Sequence, residues 1–126
     1  MEYVYTELAT LLAVIITYGM SLNVGRKRSL VEAPATTGHP DFERAFRAHY
    51  NTIENLVIFL PVLWLAAPYA GDFKAGMLGL LWGLGRVVFA LQYSKGSSRA
   101  IGMLLTSVAW VALAVYVILG LYTKMM

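Results

Sequence analysis

Cysteine is absent from this chain, and charge is scarce: 13% of its 126 residues are Asp, Glu, Lys or Arg, whereas 59% are apolar or aromatic. Without cysteine there is no disulfide framework, no thiolate metal site and no cysteine nucleophile. Sulfur chemistry, if any, must arrive with a ligand. An ordinary soluble domain carries about 25% charged residues and under half apolar ones, so this composition excludes a soluble globular domain, a disordered tail and a coiled coil. The net charge of +3 is too thinly spread for a nucleic-acid module, and neither a nucleic-acid partner nor a metal site is expected.

Long uncharged runs dominate what is present. They cover 100–123, 8–25 and 55–71, and a helix needs about 20 apolar residues to cross a bilayer. A fourth run, 74–94, is interrupted by Arg86 and bounded by Gly71-Asp72 and by Lys95-Gly96-Ser97-Ser98, both turn signals. The expectation is a single all-α domain of four membrane helices near 3–25, 42–68, 74–95 and 99–123, folded as an up-and-down bundle. Glu2 and Glu7 stand where a removable signal peptide would be basic, so the first helix is expected to stay. His39-Pro40-Asp41 reads as a turn with a capping carboxylate ahead of the second helix, and Pro61 within that helix predicts a kink.

The basic residues are unevenly placed. Arg26, Lys27, Arg28, Arg44 and Arg47 flank the first connection and Lys95 and Arg99 the third, whereas the second has only Lys74 and the C-terminal end only Lys124. By the positive-inside rule, connections one and three face the cytoplasm and both termini face away. The C-terminal Lys124-Met125-Met126 carries no endoplasmic-reticulum retrieval signal, so a bacterial inner membrane is expected. Trp64, Trp82 and Trp110, with Tyr3, Tyr5, Tyr69 and Tyr122, read as a set that includes interface anchors, and Gly79 and Gly83 as a seam for close helix approach.

Charge inside a membrane costs roughly 2.5–3.5 kcal/mol per residue at a helix centre, so the polar residues of the spans call for partners or a function. At about 100° per residue, Glu43, Arg44, Arg47, Asn51 and Glu54 share one face of the second helix, with His49 on the other side. On the third helix Arg86 and Tyr93 nearly superpose, and Glu54 is the expected ion-pair partner of Arg86. Arg47, Asn51, Glu54, Arg86, Tyr93 and Arg99 together suit a small, doubly anionic, zwitterionic ligand. Arginine forks bind carboxylates, asparagine pairs with peptide groups, and a glutamate receives an ammonium. Glutathione has these features and supplies the missing thiol.

The segment Arg47-Ala48-His49-Tyr50-Asn51-Thr52-Ile53-Glu54-Asn55, with Pro61 downstream, resembles the second-helix signature of the membrane-associated proteins in eicosanoid and glutathione metabolism (MAPEG), closest to its microsomal glutathione transferase and prostaglandin E synthase branch. Thr36-Thr37-Gly38-His39-Pro40-Asp41-Phe42-Glu43-Arg44 is instead similar to the first loop of the leukotriene C synthase branch. The resemblance implies a homotrimer of four-helix subunits. It implies glutathione as co-substrate between neighbouring subunits and a lipophilic electrophile or lipid hydroperoxide arriving from the membrane lipid. It assigns glutathione binding to Arg26, Arg47, Asn51, Glu54, Arg86 and Tyr93, and thiolate stabilisation to Arg99, assisted by Tyr93. Phe89 stands where members similar to leukotriene C synthase have a tyrosine in the glutathione site, and the interval from Tyr93 to Arg99 is shorter than in the prostaglandin E synthase branch.

The activity implied is glutathione transfer, with peroxide reduction as a second reaction of the same thiolate. Two other readings compete. One is a non-enzymatic lipid-binding or lipid-presenting protein of the same fold, although Arg47 and Glu54 are retained here and missing from the non-catalytic lipoxygenase-activating relative. The other is a small multidrug exporter, for which Glu7 is the only candidate carboxylate and lies at a helix start.

Overall fold

The computed structural model describes residues 2–126. Among them the chain forms four long helices, α1 (Val4–Arg26), α2 (Pro40–Ala70), α3 (Asp72–Ser94) and α4 (Ala100–Met125), with one 3-10 turn at Arg28–Leu30. Each is long and apolar enough to cross a membrane. Neighbours in sequence run antiparallel, as cross-contacts show. Trp64 Nε1 donates to Thr10 Oγ1 at 3.0 Å, Arg86 meets Thr52, and a Cβ on Gly102 would strike Phe89.

Along α1 small residues face inward and large ones outward, the reverse of a soluble helix. On α1, Thr6, Ala9, Ala13 and Thr17 are buried, while Leu8, Leu11, Leu12, Val14, Ile15 and Leu22 are exposed. Apolar side chains gain nothing by leaving lipid, so association depends on close packing. A Cβ on Gly76 would sit 2.4 Å from Tyr5 Cβ, and one on Gly79 2.6 Å from Ala9 Cβ. The anticipated Gly79/Gly83 seam is thus the α1 contact, extended one turn to Gly76. The inward hydroxyls of Thr17 and Thr106 are satisfied by the carbonyls four residues back, at 2.8 Å each.

Three expectations need correction. Trp82 is not an interface anchor: it is fully buried and stacked on Phe59, with ring centroids 4.3 Å apart and planes 5° apart. The cap of α2 is the His39 imidazole, whose Nδ1 accepts from Asp41 N at 3.1 Å, with Pro40 as the first helical residue. Proline needs no donor there, so the helix begins two residues earlier than its apolar pattern, and Asp41 turns to Arg44 at 3.4 Å instead. Finally, α2, with Pro61 inside it, extends through Pro68 to Ala70, two residues past the expected end at 68.

At the end that holds both chain termini, Asp72 ties α3 to α1. Its carboxylate accepts from the backbone N–H of Tyr5 (3.0 Å) and Thr6 (2.8 Å), capping a helix more than sixty residues away. At the opposite end, Arg28 bonds the Ala35 carbonyl and lies 4.7 Å over the Phe42 ring, pinning the first loop against the start of α2.

Candidate functional site

A cleft of about 500 Å³ opens at the end of the bundle that carries the first and third loops. One wall is α2, whose Phe46, Arg47, Tyr50, Asn51 and Glu54 lie within two turns on one face. Phe89 and Tyr93 of α3 form the second wall, Arg99 and Met103 the third, and Thr36 and Thr37 of the first loop the rim.

The third loop aims Arg99 at this space. Gly96, with φ of 70°, allows a tight reversal held by Gly96 N to Tyr93 O (3.0 Å) and Ser97 N to Gln92 O (3.1 Å). Arg44 packs against Gly96 from α2, its nearest guanidinium nitrogen 3.4 Å from where a Cβ would stand. The chain re-enters α4 with the Arg99 guanidinium 4.6 Å over the Tyr93 ring centroid. The short interval noted in the sequence therefore brings cation and phenol into contact.

Five of the residues expected to bind ligand, Arg47, Asn51, Glu54, Tyr93 and Arg99, meet around this one cleft. Two do not. Arg26 lies on α1, bonded through Nη2 to Asn23 Oδ1 at 2.8 Å, in a separate groove with Leu22. Arg86 is 1% exposed and stands behind the cleft.

The expected Glu54–Arg86 ion pair is not formed. Among the described residues Arg44–Asp41 is the sole ion pair, and Glu54 faces outward into the cleft. Arg86 is held instead by Thr52 Oγ1, to which Nε (3.1 Å) and Nη2 (2.9 Å) donate, and by Asn51 Oδ1, 2.6 Å from Nη2. Its guanidinium also lies 4.2 Å over the Phe89 ring. Thr52 is fully buried on the stripe that includes Phe59 and Leu63, whereas Glu54, two residues on, has rotated about 200° away.

Thr52, Tyr50, Phe46 and Met103 were not foreseen as site residues. Phe46 and Tyr50, with centroids 4.7 Å apart, flank Arg47 and Asn51 at helical spacing, a signal present in the sequence. His49 is half-buried on the other side of α2. Glu7, on which an exporter would depend, is exposed in the first turn of α1, at the end away from the cleft.

In chemical terms the cleft offers two guanidinium groups, a carboxamide, two phenols and one carboxylate, bordered by apolar surface from Phe46, Phe89 and Met103. Two cations and one anion favour a ligand with net negative charge that also carries one cationic group.

The MAPEG family model matches residues 6–119. An uncharacterized protein of Synechocystis is 41% identical over 123 residues, 95% of this chain and 90% of that protein. Leukotriene C4 synthase of Cavia porcellus is 36% identical over 116 residues, 90% of this chain and 75% of that protein. Human microsomal glutathione S-transferase 2 is 36% identical over 84 residues, 67% of this chain and 57% of that protein.

Proposed function

This chain belongs to the MAPEG family, and on that premise we propose that it is a membrane-bound glutathione transferase. The observation that carries this reading is the convergence of Arg47, Asn51, Glu54, Tyr93 and Arg99 on one cleft, in a chain whose relatives include a microsomal glutathione S-transferase and leukotriene C4 synthases. Four helices able to cross a bilayer fit an integral, multi-pass membrane protein.

The residues divide the work by charge. Arg47 takes a carboxylate of glutathione, Glu54 its ammonium, and Asn51 a peptide or carboxylate oxygen. Arg99 and Tyr93 face the thiol. Glutathione supplies the nucleophile that a chain without cysteine lacks. A free thiol has a pKa near 8.5, and holding it as thiolate at neutral pH needs a drop of about two units, roughly 2.7 kcal/mol. A guanidinium about 4 Å away at an effective dielectric of about 20 offers at most roughly 4 kcal/mol. Arg99 is exposed, so solvent screens part of that upper bound.

The thiol proton leaves to solvent. A carbon–sulfur bond forms to the electrophile while its leaving group departs with the electron pair. With a lipid hydroperoxide the thiolate attacks the terminal oxygen, the oxygen–oxygen bond breaks to release the lipid alcohol and leave a glutathione sulfenic acid, and a second glutathione displaces water from it to give the disulfide. The exposed aliphatic faces of the helices keep the cleft beside lipid, from which the apolar partner comes. In this reading the protein is a homotrimer, Arg26 reaches glutathione bound against a neighbouring subunit, and the cleft faces the cytoplasm of a bacterial inner membrane, the side with the basic loops.

The test is conjugation of glutathione to a lipophilic electrophile by the purified protein. Wild type turns over, and Arg99→Ala raises the midpoint of the pH–rate profile by roughly two units. A wild type that binds lipid partners but neither binds nor consumes glutathione would mean a non-enzymatic protein of the same fold.

A further inference from the structure

Arg86 is a buried cation that the reaction does not touch, and among the described residues no carboxylate pairs with it. Such a group is costly in a membrane interior unless every donor is used. Two of its partners are the Thr52 hydroxyl and the Asn51 side chain. The third residue at the junction is Asn55, whose Nδ2 donates to the Asn51 backbone carbonyl (3.0 Å) and to Asn51 Oδ1 (3.3 Å).

A guanidinium can only donate, so the Asn51 atom 2.6 Å from Arg86 Nη2 must be the amide oxygen. Two donors converge on it. Among the described residues nothing accepts from Asn51 Nδ2, and Asn51 borders the cleft. A free asparagine could flip and present either end to a ligand. Here a flip would set the amide N–H₂ against a guanidinium and break a charge-assisted bond.

We infer that Arg86 is a positioning residue: braced by Thr52, it locks the Asn51 amide with its N–H₂ group free for the cleft, so that the site selects an acceptor oxygen, a carboxylate or peptide carbonyl, at that point. This removes Arg86 from the ligand-binding set and gives Thr52 a role through it. The inference rests on the glutathione reading above.

Glutathione binding by calorimetry, with an unliganded melt of each variant, provides the test. Thr52→Val removes the brace and is expected to weaken binding about tenfold, and Thr52→Ser, which keeps the hydroxyl, restores it to within about twofold. In an Asn51→Ala background Thr52→Val is expected to have no further effect on binding, since the group it acts through is gone. The same loss in both backgrounds, or no loss with Asn51 present, overturns the inference. Should Thr52→Val not fold, Arg86→Lys carries the same comparison, because an ammonium keeps the charge but loses the fork. A wild type that does not bind glutathione overturns the functional reading itself, a result distinct from wild-type binding with additive variants.

Discussion

Gly102→Ala adds one methyl group where two helices touch. The new Cβ would lie 2.5 Å from both the Cα and the backbone N of Phe89 and 2.7 Å from its Cβ. Backbone in mid-helix has no rotamer to change, so α4 and α3 must part by about 1 Å to restore ordinary carbon contacts of about 3.5–4.0 Å. Overpacking of this kind costs about 1–3 kcal/mol, which for a chain this size lowers the melting temperature by about 5–10 °C. Gly102 is one turn from Arg99, and Phe89 one turn from both Arg86 and Tyr93, so the same displacement widens the cleft. Misplacement by about 1 Å can cost a hundredfold in rate, and glutathione turnover is expected to fall by at least tenfold. Gly19→Ala is the matched control, since nothing stands within 4 Å of its Cβ position. It is expected to melt at or slightly above wild type, by no more than about 1 kcal/mol from helix propensity. Thermal melts and initial rates on the two variants decide the matter. Equal stability of Gly102→Ala and wild type, or equal losses in both variants, would refute the close approach of α3 and α4.

Two further substitutions separate stability from recognition. Asn51→Asp sets a carboxylate against Arg86 in place of an amide oxygen at 2.6 Å; the melting temperature is expected to hold or rise, while calorimetry shows glutathione affinity falling at least tenfold as the cleft gains an anion and loses a donor. Asp72→Asn replaces the carboxylate that receives the Tyr5 and Thr6 N–H groups. It is expected to lower the melting temperature and to speed amide hydrogen exchange in the first turn of α1 while leaving glutathione affinity unchanged; slowed or unaltered exchange there would contradict the capping role.

The helices were legible because hydrocarbon thickness sets their length and few residues interrupt them. Their ends were less so: the apolar pattern of α2 begins at Phe42, but its first turn is set by the His39 imidazole and Pro40, which hydropathy does not see. The face of α2 was readable from 100° periodicity, and it brought Arg47, Asn51 and Glu54 to one cleft. The partner of Arg86 was not. Opposite charge at similar depth pointed to Glu54, but periodicity gives a direction around the axis and says nothing of how far a long side chain reaches back. Thr52 and Asn51 lie on the side of α2 toward Arg86, and a threonine in an apolar stripe is easily taken for filler. Trp82 was misplaced for a related reason, since an aromatic residue in a membrane helix has the same composition signal at an interface as in a core, and only its stack on Phe59 distinguishes them. Arg26 lies apart from the cleft within one chain, and its proposed role depends on a neighbouring subunit that a single sequence cannot position.

The central claim is that this cleft binds glutathione and holds its sulfur as a thiolate. The most direct measurement is the ultraviolet difference spectrum of purified protein titrated with glutathione across pH. The account predicts a saturable thiolate band with an apparent pKa about two units below the free thiol value near 8.5, moved back toward that value by Arg99→Ala. A titration that shows no saturable band, or one whose midpoint equals that of free glutathione in the wild type, would contradict it.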